Sequence, residues 1–135
     1  MRHPRLVLAS GSPHRAELLA RLTPDFEQRA PAVDETRHQG ERAYDYVVRL
    51  AIRKANAVAG EAGGRLIIGS DQACVHAEHL LGKPGSREQA VAQLSAASGQ
   101  RVTFLTSVCV LDAETGAQQA DVVPTTVHFR ELTPA

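Results

Sequence analysis

The sequence predicts a single α/β domain built on a mixed β-sheet, and three observations support this prediction. Strand–helix units fill the first hundred residues, two long strand-like segments follow, and a chain of 135 residues suits one domain. Hydrophobic residues make up 43% of the chain and charged residues 22%, which is typical of globular proteins. Because strand–helix units favour parallel pairing and a hairpin pairs antiparallel, a sheet built from both is mixed.

The composition also narrows the classes of function. Formal net charge is zero, so a general surface for polyanions is not expected. Aromatic residues are only 4% of the chain and Trp is absent, which argues against a base-stacking platform for single strands. The start MRHPRLVLAS is too short an apolar run for a signal peptide, and no segment approaches membrane-spanning length. We therefore expect a cytoplasmic protein that binds neither nucleic acid nor a membrane.

The two cysteines are predicted to be reduced thiols of the core. Cys74 and Cys109 both lie in apolar, strand-like surroundings. The chain has no CxxC pair and no histidines at matching spacing, so a zinc site is not supported.

The first strand and helix follow from a short apolar run and a helix-start signal. RLVLAS (5–10) predicts a buried strand. Ser12 occupies an N-cap position and Pro13 the first position of a helix predicted over 13–22. The residues expected on its inner side are Leu18, Leu19 and Leu22.

An extended segment, a loop and the longest helical pattern come next. Residues 25–31 are extended and end at Pro31, and the polar residues 32–41 predict a loop. Residues 41–64 predict a helix that ends at Gly63 and Gly64. Its apolar face is formed by Val47, Leu50, Ala51, Ala55 and Val58.

The next segment predicts a strand, a small hairpin and a third helix. Residues 65–71 indicate a second buried strand broken at Gly69-Ser70, with 73–75 and 79–84 as arms of a hairpin. Ser86 begins a helix, with Gln89 as its capping-box partner, and Gly99 ends it. The apolar stripe expected on this helix comprises Ala90, Val91, Leu94 and Ala97.

Two long strands complete the pattern. They are predicted over 101–113 and 118–132, joined by a turn at 114–116. Thr133-Pro134 is a further helix-start signal, although a frayed terminus explains it as well. We interpret residues 1–135 as the N-terminal portion of a longer domain.

Four polar residues near the first helix form a candidate phosphate cradle. Ser10, Ser12, His14 and Arg15 bring two hydroxyls and two basic groups to a helix start. Cations are unfavourable there because the helix dipole is positive at that end, and a bound anion would remove the conflict. The alternative is that His14 and Arg15 point into solvent.

Asp71 is the strongest candidate for catalysis. It follows an apolar strand in IIGSDQ, and ligands of open α/β sheets bind at the carboxyl ends of strands. A carboxylate placed there serves as a general base or a metal ligand. Gln72 beside it either bonds to a base edge or faces water.

Four other charged residues carry weaker signals. Asp34 and Glu35 lie in a loop, where adjacent acids are usually solvated but can also hold Mg²⁺ or Mn²⁺. Lys54 lies in a long helix, and Lys83 in LGKP does not belong to a P-loop because the required Gly and Ser/Thr are missing. Each of these alone is more simply a surface residue.

Taken in order, the motifs resemble one known family. They are LASGSPHR, APAVDET, RLAIRKA, LIIGSDQACV, LGKP, SGQRVTFLTSVCV and TTVHFREL. This order is similar to that of the Maf-like nucleotide pyrophosphatases. The Asp71-Gln72 pair and the VHFREL ending resemble the branch that acts on 7-methyl-GTP.

The resemblance implies a fold, a reaction and a set of site residues. The fold is of the Maf/inosine-triphosphatase type, an elongated mixed sheet flanked by helices around a central cleft. The reaction is hydrolysis of a nucleoside triphosphate to the monophosphate and pyrophosphate with a divalent cation, Mg²⁺ or Mn²⁺. Asp71 matches the family's catalytic acid and, with Glu35, a metal ligand. The substrate-binding positions implied are Ser10, Ser12, His14, Arg15, Lys54, Gln72 and Lys83.

The sequence departs from the family pattern in two ways. His14 stands where the 7-methyl-GTP branch usually carries Trp, and Ala16 stands where a second Arg is common. The family's C-terminal part, which closes the cleft, has no counterpart here. Alternatives are therefore a non-catalytic nucleotide-binding or cell-division regulatory protein, an inactive fragment, or a generic α/β domain. The family resemblance also implies a homodimer.

Overall fold

The fold is taken from a computed structural model, which describes residues 5–61, 65–77, 79–81 and 85–133. Four residues named in the sequence predictions lie outside these ranges: Gly63, Gly64, Lys83 and Pro134.

Six strands and three helices make up the described chain, and the predicted α/β class is confirmed. The strands are β1 (Leu6–Ala9), β2 (Glu27–Arg29), β3 (Leu66–His76), β4 (His79–Leu81), β5 (Arg101–Asp112) and β6 (Gln118–His128). The helices are α1 (Pro13–Leu22), α2 (Ala43–Ala57) and α3 (Arg87–Ala97), with a 3₁₀ turn at Ala59–Glu61.

The strands form one mixed sheet in the order β2-β1-β3-β5-β6. β1 runs parallel to both β2 and β3, whereas β5 is antiparallel to each of its two neighbours, β3 and β6. The parallel half comes from the early strand–helix units and the antiparallel half from the late hairpin. The prediction of a mixed sheet is thus confirmed.

One edge of β3 changes partner along its length. β1 pairs with β3 as far as Ala9 opposite Gly69, and β4 pairs with β3 from Cys74 onward. Within the described ranges, residues 70–73 therefore have a strand partner only on the β5 side. The predicted break at Gly69-Ser70 is wrong, because β3 continues through both residues and pairs with β5. The partner on the other edge changes there, and this leaves a gap.

The core lies between α2 and the sheet. All five residues predicted on the apolar face of α2 are buried, which confirms that face: Val47, Leu50, Ala51, Ala55 and Val58. Ala51, Ala55 and Val58 pack in one cluster with residues of β1, β3 and β5 that include Val7, Ile67 and Cys109, and Val47 packs in a second cluster with Ala73 and Val122. α2 is therefore the helix that the sheet holds most firmly.

The inner side predicted for α1 is not buried, and of the stripe predicted on α3 only Ala97 is buried, so the first prediction is wrong and the second is wrong except at Ala97. Leu18 is 44% exposed and Leu22 is 87% exposed, and α1 contains no buried residue. Val91 and Leu94 of α3 are 54% and 50% exposed, and only Ala97 of that helix is buried. Helical spacing predicts that a helix has an apolar face, but it does not predict whether another part of the chain packs against that face.

The helix starts predicted at Ser12 and Ser86 are confirmed, whereas the helix predicted from residue 41 begins at Ala43 as α2. Ser12 Oγ accepts the N–H of Arg15 at 3.2 Å, and Ser86 Oγ accepts the N–H of Gln89 at 3.1 Å. The Gln89 side chain accepts the N–H of Gly85 instead of that of Ser86, so this capping box is displaced by one residue.

Both cysteines are free thiols, as predicted. Burial raises the pKa of the Cys74 thiol and of the Cys109 thiol. In the part of the chain that the structure describes, none of the helices has the length and hydropathy needed to cross a membrane.

α2 approaches β3 most closely at Gly69. A Cβ built on Gly69 would lie 2.1 Å from the carbonyl oxygen of Ala51 and 2.9 Å from the backbone nitrogen of Ala55. Any side chain larger than hydrogen would push the helix off the sheet. Gly69 therefore sets the distance between α2 and β3, and the small side chains of Ala51 and Ala55 match it.

We predict that Gly69→Ala lowers the free energy of unfolding by about 1–3 kcal/mol or more, because the added methyl overlaps the α2 backbone. The urea midpoint followed by circular dichroism measures the effect. Gly60→Ala is the matched control, since a Cβ on Gly60 meets nothing within 4 Å. Equal midpoints for the two variants would contradict the close packing.

Candidate active site

The gap between β1 and β4 along the edge of β3 opens into a cavity of about 870 Å³. Its walls come from the start of α1, the loop around residues 31–35, α2 and the unpaired edge of β3. The predicted site residues that line it are Ser10, Ser12, Arg15, Glu35, Lys54, Asp71 and Gln72. Segments far apart in the sequence thus meet at one cavity, as the resemblance implied.

The wall at the start of α1 is organised by Arg15. Its Nη1 donates to Ser10 Oγ at 3.3 Å and to the carbonyl oxygen of Ser70 at 3.2 Å. Ser70 lies on the stretch of the β3 edge between β1 and β4. Arg15 therefore bonds a main-chain carbonyl on an edge where, among the described residues, no strand pairs with β3. The side chain is held on one side by these acceptors.

A second contact fixes the turn between β1 and α1. Gln28 of β2 donates from Nε2 to the carbonyl oxygens of Ser10 and Ser12, at 2.9 and 3.3 Å. Ser10 Oγ also accepts the N–H of Ser12 at 3.1 Å. These hydrogen bonds within the protein hold the turn, and a held turn at a helix start suits an anion site.

Lys54 of α2 contacts two carboxylates at the opposite wall. Its Nζ lies 3.0 Å from Asp71 Oδ1 and 3.1 Å from Glu35 Oε1. The Lys54 and Asp71 side chains are 13% and 14% exposed, whereas that of Glu35 is 58% exposed. Both acids therefore meet around a single ammonium group, and Glu35 is the one that solvent reaches.

Strand alternation explains why Asp71 faces Lys54. Residues two apart on a strand share a face, so Gly69, Asp71 and Ala73 all point toward α2. Ala73 is buried against Val47 of α2, and Gly69 contacts the backbone of the same helix. The close approach at Gly69 brings Lys54 within hydrogen-bonding distance of Asp71.

A buried serine joins α2, β3 and β5 behind Asp71. Ser107 Oγ donates to the Val47 carbonyl oxygen at 2.7 Å and accepts the N–H of Asp71 at 3.0 Å. Ser107 is fully buried and is the cross-strand partner of Asp71. Its hydroxyl thereby fixes the backbone from which the Asp71 carboxylate projects.

The loop that carries Glu35 is fastened to α2. Arg49 donates from Nε and Nη2 to the two carboxylate oxygens of Glu41, at 2.7 and 2.9 Å, and from Nη2 to the Thr36 carbonyl oxygen at 3.0 Å. The Arg49 hydrogen bonds lower the pKa of Glu41 to about 2. Tyr46 donates from its hydroxyl to the Glu35 carbonyl oxygen at 2.5 Å.

Tyr46 lies within the field of both site carboxylates. Burial raises the pKa of the Tyr46 phenol, and the negative charges of Asp71 and Glu35 raise it further. The phenol is therefore a hydrogen-bond donor at neutral pH.

Three residues singled out in the sequence take no part in the contacts of Arg15 and Lys54 described above: His14, Gln72 and Asp34. His14 is exposed and is not among the residues that line the cavity. Gln72 lines the cavity, and its Nε2 donates to Thr106 Oγ1 of β5 at 3.0 Å. Asp34 Oδ1 accepts the N–H of Thr36 at 2.9 Å, and hydrogen bonding to Thr36, by its side chain first and then by this N–H, lowers the pKa of Asp34. Asp34 thus stabilises the loop instead of facing the cavity.

The donor set fits a divalent cation that is shared with a ligand. Among the described residues, no group of three or more His, Cys, Asp or Glu side chains could hold a metal by itself. Two carboxylates, Glu35 and Asp71, converge on one point, now contacted by the Lys54 ammonium. Mg²⁺ is commonly held by one or two carboxylates together with substrate phosphates and water. The two carboxylates therefore suit such an ion.

Four site residues escaped the sequence interpretation: Gln28, Tyr46, Arg49 and Ser107. Tyr46 and Lys54 are eight residues apart, which places them on one face of α2, so helical spacing could have indicated Tyr46. Gln28 and Ser107 act through strand register, and a single sequence does not reveal that register.

The fold and the cavity together define an α/β protein with a polar, charged site on an interrupted sheet edge. Basic groups, carboxylates and the turn at the start of α1 surround one opening there. The family model described as Maf-like protein matches residues 5–135, and the chain belongs to this family.

Relatives with high identity carry one common name. The chain is 54% identical over 129 residues to a 7-methyl-GTP pyrophosphatase of Alkalilimnicola ehrlichii, covering 96% of this chain and 65% of that protein. It is also 54% identical over 129 residues to a 7-methyl-GTP pyrophosphatase of Pseudomonas syringae pv. syringae, covering 96% of this chain and 67% of that protein. The chain thus spans about two thirds of the length of these relatives.

A solved structure supports the fold. The Staphylococcus aureus Ham1 protein matches with a TM-score of 0.61 at 18% identity, covering 91% of this chain and 70% of the other. At this identity the likeness concerns architecture alone.

We predict that the Glu41–Arg49 pair stabilises the folded protein at neutral pH and that this contribution to the free energy of unfolding is lost in acid. Because the pKa of Glu41 is lowered from 4.5 to about 2, its contribution to stability is complete above pH 4.5 and is lost as the pH falls toward 2. Wild type should exceed Glu41→Gln in urea midpoint at pH 7, and this difference should shrink between pH 4.5 and 2.

Glu17→Gln is the control for this measurement. Glu17 meets Arg21 at 3.5 Å with both side chains 69% exposed, so its removal should change little at any pH. A difference between wild type and Glu41→Gln that stays constant from pH 7 to pH 2 would contradict the prediction.

Proposed function

We propose that this protein hydrolyses a nucleoside triphosphate, 7-methyl-GTP, to the nucleoside monophosphate and pyrophosphate. The observation that carries the proposal is the convergence of Arg15, Lys54, Glu35 and Asp71 on one cavity. The names of relatives about half identical to this chain support the choice of substrate.

The cavity offers cations to the phosphate chain. A triphosphate carries about four negative charges near neutral pH, because its terminal phosphate titrates near 6. Arg15 uses Nη1 for its protein contacts, and no contact of its Nε or Nη2 is recorded within the described residues. A guanidinium with free donors suits bidentate contact with phosphate oxygens. Lys54, and by resemblance Lys83, are proposed as further phosphate contacts.

Asp71 is proposed as the general base. Its carboxylate accepts a proton from a water, and that water attacks the α-phosphorus. The bond from the α-phosphorus to the bridging oxygen breaks, and pyrophosphate leaves with the electron pair. One well-placed general base contributes about 10²–10⁴-fold to the rate. The hydrogen bonds through Ser107 fix the backbone of Asp71 for this role.

Glu35 and Asp71 are proposed to hold Mg²⁺ or Mn²⁺. When bound, the ion neutralises charge that develops on the phosphate oxygens. Lys54 contacts both carboxylates and so keeps them facing the cavity. We propose that the Lys54 ammonium exchanges its contacts with these two acids for a contact with the substrate phosphate when the substrate binds.

The nucleobase is proposed to lie toward Gln72 and His14. Gln72 lines the cavity and offers an amide to a base edge. The exposed His14 imidazole presents a stacking surface smaller than that of Trp. We further propose a cytoplasmic location. We also propose a nucleotide ligand in preference to nucleic acid, because a formal net charge of zero does not favour a general surface for polyanions.

We predict that the protein releases pyrophosphate from 7-methyl-GTP with Mn²⁺ or Mg²⁺, and that Asp71→Asn lowers kcat by about 10²–10⁴-fold, the worth of a general base. UTP, dTTP, CTP and GTP are the comparison substrates. The control is Asp25→Asn, an exposed acid between α1 and β2, which should keep wild-type rates.

Two results would overturn the proposal. One is the absence of pyrophosphate release from every substrate by folded wild-type protein. The other is an Asp71→Asn rate equal to that of wild type. Binding of the nucleotide without turnover would favour a non-catalytic nucleotide-binding protein.

A further inference from the structure

Two residues of α2 hold Glu35 at opposite ends. The Tyr46 hydroxyl donates to the Glu35 main-chain carbonyl at 2.5 Å, and Lys54 Nζ contacts Glu35 Oε1 at 3.1 Å. Because Tyr46 and Lys54 are separated by eight residues, both project from one face of the helix, about two turns apart. The main chain and the side chain of Glu35 therefore both contact α2, at two points along the helix.

The main-chain contact matters because the loop itself is irregular. Residues 30–42 contain no helix or strand, and the Glu35 side chain is 58% exposed. A glutamate in such a loop loses both backbone and side-chain freedom when it is held in place. If the Lys54 ammonium turned toward a phosphate, the Tyr46 hydrogen bond would be the remaining direct contact from α2 to Glu35.

The second anchor of the loop lies further along the chain. Arg49 binds Glu41 through two hydrogen bonds and also reaches the Thr36 carbonyl oxygen. This anchor fixes where the loop rejoins α2 and supports the residue after Glu35. It makes no direct bond to Glu35, so it leaves the position of that carboxylate to Tyr46 and Lys54.

We propose that Tyr46 is a positioning residue that sets the Glu35 carboxylate for cation binding by holding the main chain of Glu35. The inference rests on the proposed function for the role of Glu35 as a ligand. Tyr46 also lines the cavity, and the role proposed for it is to act through the main chain of Glu35.

The test compares two tyrosines of the same helix. Tyr46→Phe removes only the hydroxyl and keeps the ring, which packs beside the core and 5.6 Å from the Arg49 guanidinium carbon. Tyr44→Phe is the matched control, because Tyr44 is 52% exposed and no hydrogen bond of its hydroxyl is recorded among the described residues. Urea midpoints verify that both variants fold.

Binding of Mn²⁺ alone is measured by the loss of its free electron paramagnetic resonance signal. We expect Tyr46→Phe to weaken Mn²⁺ binding by about threefold to tenfold, the usual worth of one hydrogen bond, and Tyr44→Phe to match wild type. In the pyrophosphate assay, Tyr46→Phe should raise the Mn²⁺ concentration for half-maximal rate by the same factor. The kcat at saturating Mn²⁺ should return close to the wild-type value.

The outcomes separate this inference from the proposed function. Equal Mn²⁺ affinity for Tyr46→Phe and Tyr44→Phe, or no Mn²⁺ binding by wild type, would overturn the inference. A loss of kcat in Tyr46→Phe that saturating Mn²⁺ does not restore would also overturn it. Weakened Mn²⁺ binding in Tyr46→Phe, with no pyrophosphate release by wild type, would support the inference and overturn the proposed function.

Discussion

The close contact between α2 and β3 at Gly69 is the constraint on which the site depends. A hydrogen at this position lets the helix backbone rest directly on the strand, where a methyl would lie 2.1 Å from the Ala51 carbonyl oxygen. The next residue on the same face of β3 is Asp71, and Lys54 is carried past it by the helix. An ion pair of 3.0 Å between two largely buried groups follows from this packing. The packing of α2 on β3 and the proposed catalytic role of Asp71 are therefore linked through one glycine.

The cavity arises because the sheet changes from parallel to antiparallel pairing beside this contact. β1 stops opposite Gly69 and β4 starts opposite Cys74, so the edge between them faces α1 and a loop. Main-chain groups left without a strand are available to side chains, and Arg15 uses the Ser70 carbonyl in this way. In the proposed function, anchoring the guanidinium in this way lowers the entropic cost of binding an anionic ligand.

Local signals predicted the elements and one residue that lines the cavity, whereas contacts between residues distant in sequence stayed hidden. Ser12 marked the start of α1 correctly because capping is local, and the strand before Asp71 indicated where that residue lies, while its catalytic role stays a prediction. The exposure of Leu22 was missed because burial depends on what the rest of the chain places opposite. Ser107 and Tyr46 were missed because cross-strand register and a loop's path bring them to the site.

A crystal structure with Mn²⁺ and an α,β-methylene analogue of 7-methyl-GTP tests the central claim most directly. The analogue resists cleavage between the α- and β-phosphorus atoms, so it should report the bound geometry. We expect the phosphates within hydrogen-bonding distance of Arg15 and Lys54, and the Asp71 carboxylate facing the α-phosphorus. A nucleotide bound away from the gap between β1 and β4, or an Asp71 carboxylate that faces away from the phosphates, would contradict the account.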